Sequence, residues 1–258
     1  MGNEGTRTIK TADRLLALVE ALNELEQTGV TELSDYVDIP VSTTHQYLAS
    51  LETNEYVIKQ DGKYQLGLKF LEHGMKLREN SPLYENSQSI LEDLAETTGE
   101  IAWLVVEEHG LAINFERVVG EHGLNKFRGH IGGRSKLHTH AAGKALLAKM
   151  SPDRVDKIVD DHGLSPQTRQ TIQDREELYT ELEKIREQGY SFNDNETVPG
   201  IRSVGAAITD SNDEPLGAIA VGGPDNRLDG AYFREELPEL VLGAVNEIEL
   251  KMSVDSPW

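Results

Sequence analysis

The chain contains no cysteine, no apolar run long enough to cross a bilayer, and 25 lysines and arginines against 45 aspartates and glutamates. Without cysteine there are no disulfides and no thiolate metal sites, and the redox compartment stays open. Without a long apolar run there is no expected membrane span. The start, MGNEGT, lacks the charged-then-apolar pattern of a secretory leader and the full myristoylation pattern, so a cytoplasmic protein is expected. Two enzyme signatures are missing as well: there is no GxSxG elbow and no HExxH helix. Gly143-Lys144 is not a phosphate loop, because His138 stands where glycine is needed and Ala145 where a hydroxyl belongs. No catalytic constellation is left, and neither an enzyme nor a cofactor is expected.

The most informative stretch is 31–66, TELSDYVDIPVSTTHQYLASLETNEYVIKQDGKYQLG with its last glycine at 67. It predicts a helix, a short turn at Asp38-Ile39-Pro40, a second helix and a tight hairpin. The first helix should begin at Thr31 as its cap and bury Leu33, Tyr36 and Val37. In the second, Val41, Thr44, Leu48 and Leu51 share a face at 100° per residue, with His45 at its edge. Ser42, Thr43, Gln46 and Ser50 lie opposite, with Tyr47 on the flank. A solvated face normally carries Glu and Lys. This one carries hydroxyls, an amide and a phenol, groups that hydrogen-bond to base edges and phosphates. Tyr56-Val57-Ile58 and Tyr64-Gln65-Leu66 flank Asp61-Gly62, a pair suited to the positive-φ positions of a hairpin turn. Lys59 and Lys63 beside that tip could grip the sugar-phosphate backbone. The expected DNA-contacting set is Ser42, Thr43, Thr44, Gln46 and Tyr47 on the helix, Lys59 and Lys63 on the wing, and Arg7 in a basic N-terminal arm with Lys10 and Arg14. For that arm a solvated helix start is the competing reading.

Charge runs against the usual footprint of a DNA binder. Residues 1–66 hold five basic residues and eleven acidic ones, an excess of six negative charges within a total of −20. The acid is spread along the chain, and lysines number only 12. Either the domain does not bind nucleic acid, or it works in molar salt, where counterion release contributes little and a neutral hydrogen-bonding face is what remains useful. The salt reading is preferred, with a halophilic source expected.

At 258 residues the chain suits two domains. Residues 8–26 read as an amphipathic helix with Ala12, Leu15, Leu16, Val19 and Leu22 at helical spacing. Leu68, Leu71 and Met75 repeat that spacing over 67–79, and Asn80-Ser81-Pro82 marks a boundary. Beyond it the pattern is α+β: a helix over 82–98, strands at Ile101–Glu107 and Leu111–Val119, a helix over 139–150, another started by Ser151 as cap with Pro152 at its first position, a helix over 174–188, strands at Val204–Thr209 and Leu216–Gly222, and a last helix near 231–252. One antiparallel-rich sheet flanked by helices follows. The expected division is a winged helix-turn-helix domain at 1–66, a linker helix at 67–81 and a second domain at 82–258. Within that domain, His138–Lys144 opens a helix whose first residues are small, and the free N–H groups there favour an anion such as a carboxylate or sugar acid.

The ordered stretches VSTTHQYLASLETNEYV, GKYQLGLKFLEHG, LHTHAAGKALLAKM, REQGYSFNDNE and GIRSVGAAITDSNDEPLGAIAVGGPDNRL resemble the IclR family of transcriptional regulators over nearly the whole chain. The resemblance implies a GAF-like α/β effector-binding domain after the winged helix. It also implies homodimers or dimers of dimers on palindromic promoter operators, and control of carbon-source genes by a small molecule. Positions matching Ala141, Ala142, Asn193, Ser203, Ala220 and Gly222 line the effector site in related regulators. The family often has an acid at 193, a cysteine at 203 and serines at 220 and 222, so a different, larger effector is expected here. The competing class is a metabolite-binding protein or enzyme whose helical domain does not bind DNA, with a protein-interaction adaptor as a third reading.

Several sharper readings have plainer rivals. His138 and His140, with His130 nearby, could form a metal cluster, but no carboxylate stands at convincing spacing and a structural histidine before a helix is preferred; no metal is expected. Trp103, Phe115 and Phe127 fit a ligand cavity and a core about equally. Arg202 could pair an anionic effector, yet a structural arginine accounts for it better.

Overall fold

The computed structural model describes residues 8–123 and 129–255; Arg7 and Phe127 lie outside them. The chain divides into two compact units, Met1–Glu79 and Asn80–Trp258.

The first unit runs α1 (Lys10–Leu25), β1 (Thr28–Gly29), α2 (Val30–Val37), α3 (Val41–Thr53), β2 (Val57–Gln60), β3 (Lys63–Leu66) and α4 (Lys69–Glu79). Its sheet has the order β1-β3-β2 with antiparallel neighbours. Leu18, Leu22, Leu33, Ile39, Leu48, Leu51, Val57 and Tyr64 form the core. The turn between α2 and α3 is locked from both sides. Asp38 takes a left-handed conformation, φ 52°. Ser34 Oγ donates to the Ile39 carbonyl at 2.6 Å, and Thr44 Oγ1 donates to the same oxygen at 3.3 Å. The hairpin turns through Asp61 and Gly62, both at positive φ as the sequence requires.

Three local expectations are corrected. Helix α2 starts at Val30 after Gly29, with no side-chain cap, so Thr31 is not its cap. The backbone of Thr28-Gly29 pairs with Tyr64 and Lys63, and the chain leaves the sheet directly into the helix. Tyr36 is exposed and its hydroxyl bonds to Glu24, because the buried face of this eight-residue helix runs through Leu33 and Ser34. In α1 the buried residues are Leu18, Ala21 and Leu22, with Leu15 and Val19 beside them, while Leu16 and Ala12 face outward.

The second unit runs α5 (Pro82–Thr98), β4 (Ile101–Glu108), β5 (Leu111–Val119), β6 (Arg134–Lys136), a short 3-10 turn (Leu137–Thr139), α6 (Ala141–Lys149), α7 (Pro152–His162), α8 (Arg175–Gln188), β7 (Ser191–Asp194), β8 (Ile201–Thr209), β9 (Pro215–Pro224), a π turn (Tyr232–Glu236) and α9 (Leu237–Asp255). Ser151 caps its helix as expected, its Oγ accepting from Arg154 N; Ser81 Oγ likewise accepts from Tyr84 N, and Asp174 from the N–H groups of Glu176 and Glu177. The six strands form one sheet, β6-β5-β4-β9-β8-β7, antiparallel throughout. Alternation along β4 and β9 sends Leu104, Ile219 and Val221 to one face, against α5 and α9. It sends Val105, Ala218 and Ala220 to the other, where α6, α7 and α8 pack. The edge strands β6 and β7 were not foreseen. They are three and four residues long and owe their existence to pairing with β5 and β8.

Candidate nucleic-acid interface and ligand cavity

On α3 the side chains divide largely as the periodicity dictates, except that Val41, grouped with Leu48 and Leu51, is exposed, and that Thr44 needs correction. Ser42 and Gln46 are exposed, Thr43 and Tyr47 partly so. Thr44 is completely buried, its hydroxyl spent on the carbonyls of Ile39 and Pro40. It belongs to the core and the turn and is unavailable to DNA. The Ser50 hydroxyl is also used internally, on the Gln46 carbonyl. Lys59 and Lys63 are exposed on either side of the hairpin tip, the Lys59 ammonium 5.0 Å from the Tyr64 ring centre. Neither forms an ion pair among the described residues. The surface therefore combines an uncharged hydrogen-bonding helix face with two cations outside any ion pair on an adjacent hairpin.

In the second unit a cavity of about 510 Å³ lies on the α6 side of the sheet. Strand alternation builds its floor: Ile101, Trp103 and Val105 from β4, Ala220 and Gly222 from β9, Ile201 and Ser203 from β8, Asn193 from β7. His140, Ala141 and Ala142 at the start of α6 close it above, and Asn114 and Ser135 line it from β5 and β6. All six positions expected to line an effector site thus share one cavity. Ala141, Ala142, Ala220 and Gly222 provide the space by being small. Two glycines let the backbones approach. A Cβ on Gly205 would sit 2.7 Å from Ala142 N, and one on Gly143 would sit 2.1 Å from the Leu137 carbonyl oxygen.

Most polar groups around the cavity are already committed. Asn193 Nδ2 donates to Thr197 Oγ1 at 2.7 Å, Asn193 Oδ1 accepts from Glu196 N at 2.9 Å, and Thr197 Oγ1 donates to the Thr139 carbonyl at 2.6 Å. Asn193 therefore holds the turn after β7 as well as facing the space. Arg134 pairs with Glu108 at 3.0 Å. Of the three aromatics weighed for the cavity, Trp103 lines it, while Phe115 packs against Tyr84 and the α5–α9 core. Arg202 lies on β8 between two cavity residues and so points away; Asp194 and the Leu228 carbonyl accept its hydrogen bonds at 2.7 and 3.0 Å. Asn114, Ser135, His140 and Thr197 were not identified from sequence. His140 alone carried a signal, its place beside Ala141.

Behind the cavity, Lys144 is buried to 1 % side-chain exposure. Its ammonium lies 2.7 Å from Glu196 Oε1 and 3.4 Å from Glu181 Oε1. Burial pushes the Glu196 carboxyl above its ordinary range, and the Lys144 charge opposes this. Burial, helped by the charge of Lys144, pushes His140 down to about 4, so its ring is neutral near pH 7. His138 sits beneath the same helix with Nε2 3.3 Å from the Ser165 carbonyl oxygen.

A winged helix with an exposed polar reading face, carried on one chain with an α/β unit that encloses a cavity, defines a DNA-binding transcription regulator with a ligand-binding domain. The model of the IclR helix-turn-helix domain matches residues 11–61, and that of the bacterial transcriptional regulator IclR C-terminal domain matches residues 75–250. The chain belongs to the IclR family of transcriptional regulators, which are not enzymes. It is 32% identical over 254 residues to the "Probable HTH-type transcriptional regulator ArcR" of the halophilic archaeon Halobacterium salinarum, covering 97% of this chain and 96% of that one. It is 29% identical to the acetate operon repressor of Salmonella typhimurium, over 95% of this chain and 90% of the relative. Among solved structures, an IclR homolog from Microbacterium hydrocarbonoxydans complexed with 4-hydroxybenzoate shares the fold, with a TM-score of 0.81, 19% identity, and coverage of 95% of this chain and 99% of that one. No helix among the described residues is long and apolar enough to cross a membrane.

Proposed function

We propose that the protein controls carbon-source genes by binding a palindromic promoter operator as a homodimer or dimer of dimers, and that a small molecule in the cavity of the second unit sets its affinity for DNA. The observation that carries this reading is the convergence of the six expected positions, Ala141, Ala142, Asn193, Ser203, Ala220 and Gly222, on one cavity in a chain that also bears an exposed reading helix. The acetate operon repressor among its relatives supports carbon metabolism as the controlled pathway. A regulator of promoter DNA works in the cytoplasm.

In this reading Ser42, Thr43, Gln46 and Tyr47 contact bases or phosphates in the major groove, and Lys59 and Lys63 hold the backbone from the wing. Arg7 adds a phosphate contact from the N-terminal arm. Residues 1–66 act as the DNA-binding domain and 82–258 as the effector domain, with the segment 67–81, which holds α4, joining them in sequence and carrying the response. The ligand is a carboxylate or sugar acid with an apolar portion, since the walls around Trp103, Ile101 and Val105 are apolar. The test is a gel shift on DNA from the protein's own promoter region. Ser42→Ala combined with Gln46→Ala should weaken operator binding at least tenfold, at roughly 1–3 kcal/mol per lost base contact. Unchanged affinity would show the assigned face to be wrong.

A further inference from the structure

Taking the cavity as the effector site, we infer that Ser135 is a specificity-determining hydrogen-bond donor within it, its hydroxyl hydrogen aimed at the ligand by His140. The Gly143 backbone N–H can only donate, and it lies 3.2 Å from His140 Nδ1. Nδ1 must therefore be the unprotonated nitrogen, which puts the ring proton on Nε2. Nε2 lies 3.1 Å from Ser135 Oγ, so the ring donates to the serine oxygen. That oxygen is thereby used as an acceptor, and its own hydrogen is left to donate. Ser135 lines the cavity, and no protein acceptor for its hydroxyl is found among the described residues. His140 is bonded through both nitrogens and cannot readily reverse the chain.

This donor stands beside the first residues of α6. Gly143 N is capped by His140, and Lys144 N bonds the His140 carbonyl, so the N–H groups of Ala141 and Ala142 are the ones left without an intrahelical acceptor. The Ser135 hydroxyl is the neighbouring side-chain donor, and none of these groups carries a formal charge. The site therefore calls for an oxygen acceptor on the ligand, a carboxylate or a carbonyl, and should reject a ligand that presents only donors there. A buried donor left without an acceptor is the physical basis of that rejection. Ser135 is thus the contact residue, and His140 positions it.

The experiment has two arms on the full chain. The first is titration calorimetry with the sodium salts of acetate, pyruvate, benzoate and 4-hydroxybenzoate, and with benzamidine as a planar, donor-only counterpart of benzoate. The acid that binds wild-type protein should bind Ser135→Ala roughly 10- to 100-fold more weakly, and benzamidine should not bind. The second arm reads the side-chain nitrogen shifts of His140 in histidine-labelled protein, assigned by loss in His140→Gln, and should find the Nε2–H form at pH 7. An Nδ1–H or doubly protonated ring would overturn the inference while leaving the cavity reading intact. So would equal affinity of Ser135→Ala and wild type, or binding of benzamidine. Failure of every acid to bind wild-type protein would overturn the cavity reading, and this inference with it.

Discussion

Replacing Lys144 with methionine would leave Glu196 without its cation in a buried site, with only the Asp194 N–H among the described residues still bonded to its carboxylate at 3.3 Å, and the size of the defect can be bounded from the structure. Removing one partner of a buried ion pair costs about 3–5 kcal/mol when the remaining charge stays. Glu196 has an escape, because it can take up a proton. From an ordinary carboxyl value of 4.5, neutralising it at pH 7 costs at most about 3.4 kcal/mol, at about 1.36 kcal/mol per pH unit. Burial already raises the group, so protonation is cheaper than that and sets the ceiling. The defect at pH 7 should be about 2–3 kcal/mol, which lowers Tm by roughly 4–12 °C for a unit of this size. The sign with pH follows from the raised value. A carboxyl that binds its proton more tightly when folded contributes stability fully below its unfolded pKa and loses it as pH rises through the folded one. Loss of Lys144 raises Glu196 further, so the deficit should grow from pH 5.5 to pH 8. Trp103 and Trp258 are the only tryptophans and both belong to the second unit, so urea unfolding followed by fluorescence reports on it. Lys144→Met with Glu196→Gln should recover part of the loss. A deficit equal at both pH values, or no deficit, would refute the account of Lys144 as the partner that keeps Glu196 charged.

Further outcomes are expected. Thr44→Val keeps shape but loses a buried hydroxyl bonded to the α2–α3 turn; it should destabilise the first unit by about 1 kcal/mol and leave the operator sequence preference unchanged, as a selection of bound DNA would show. Ala142→Leu should fill the cavity and abolish ligand response in a gel shift without abolishing DNA binding. Because His140 is held near 4 by burial, its contribution to stability is present above 6.5 and is lost as pH falls toward 4, which denaturation against pH should reveal as a loss greater in wild type than in His140→Gln. If Lys59 and Lys63 are the main phosphate contacts, log K against log salt should have a slope of roughly −2 per bound copy; a slope beyond about −5 would contradict a mainly hydrogen-bonding interface.

The reading helix and its hairpin were legible because each signal is local. Asp61-Gly62 sets the turn, and 3.6-residue spacing sets the faces. Thr44 shows the limit of that logic. A threonine on the border of an apolar face can offer its hydroxyl outward or bond it back to a carbonyl four residues earlier, and the Ile39-Pro40 turn decides for the latter. The cavity was only partly legible, since its floor depends on β9 lying between β4 and β8. Ser135 and Asn193 stand on edge strands that exist through Ala112 and Ser203, their distant register partners. No local pattern marks either strand. Family resemblance supplied Asn193, Ser203, Ala220 and Gly222; residue chemistry alone would have found little beyond the small residues opening α6.

The charge of the chain takes on a more specific meaning once its cations are located. In the second unit they are largely paired: Arg175 with Asp156 and Asp160, Arg227 with Glu100, Arg202 with Asp194, Arg154 with Glu107, Lys149 with Asp213. Neither candidate site draws on these groups. The reading face of α3 offers hydroxyls, an amide and a phenol, and the cavity is lined by Ser135, Ser203 and the small residues opening α6, with Arg134 at its wall already paired to Glu108. Apart from Lys59 and Lys63 on the wing, both offer short-range directional bonds, which salt screens far less than it screens separated charges. An acid surface and a mostly uncharged reading face are therefore compatible properties. Spread acidic charge opposes self-association, and an uncharged reading face leaves recognition dependent on fit. Adding positive charge to the reading face, as in Gln46→Lys, should on this argument raise affinity at low salt, lose that gain as potassium approaches molar concentration, and weaken discrimination between operator and unrelated DNA at every salt concentration.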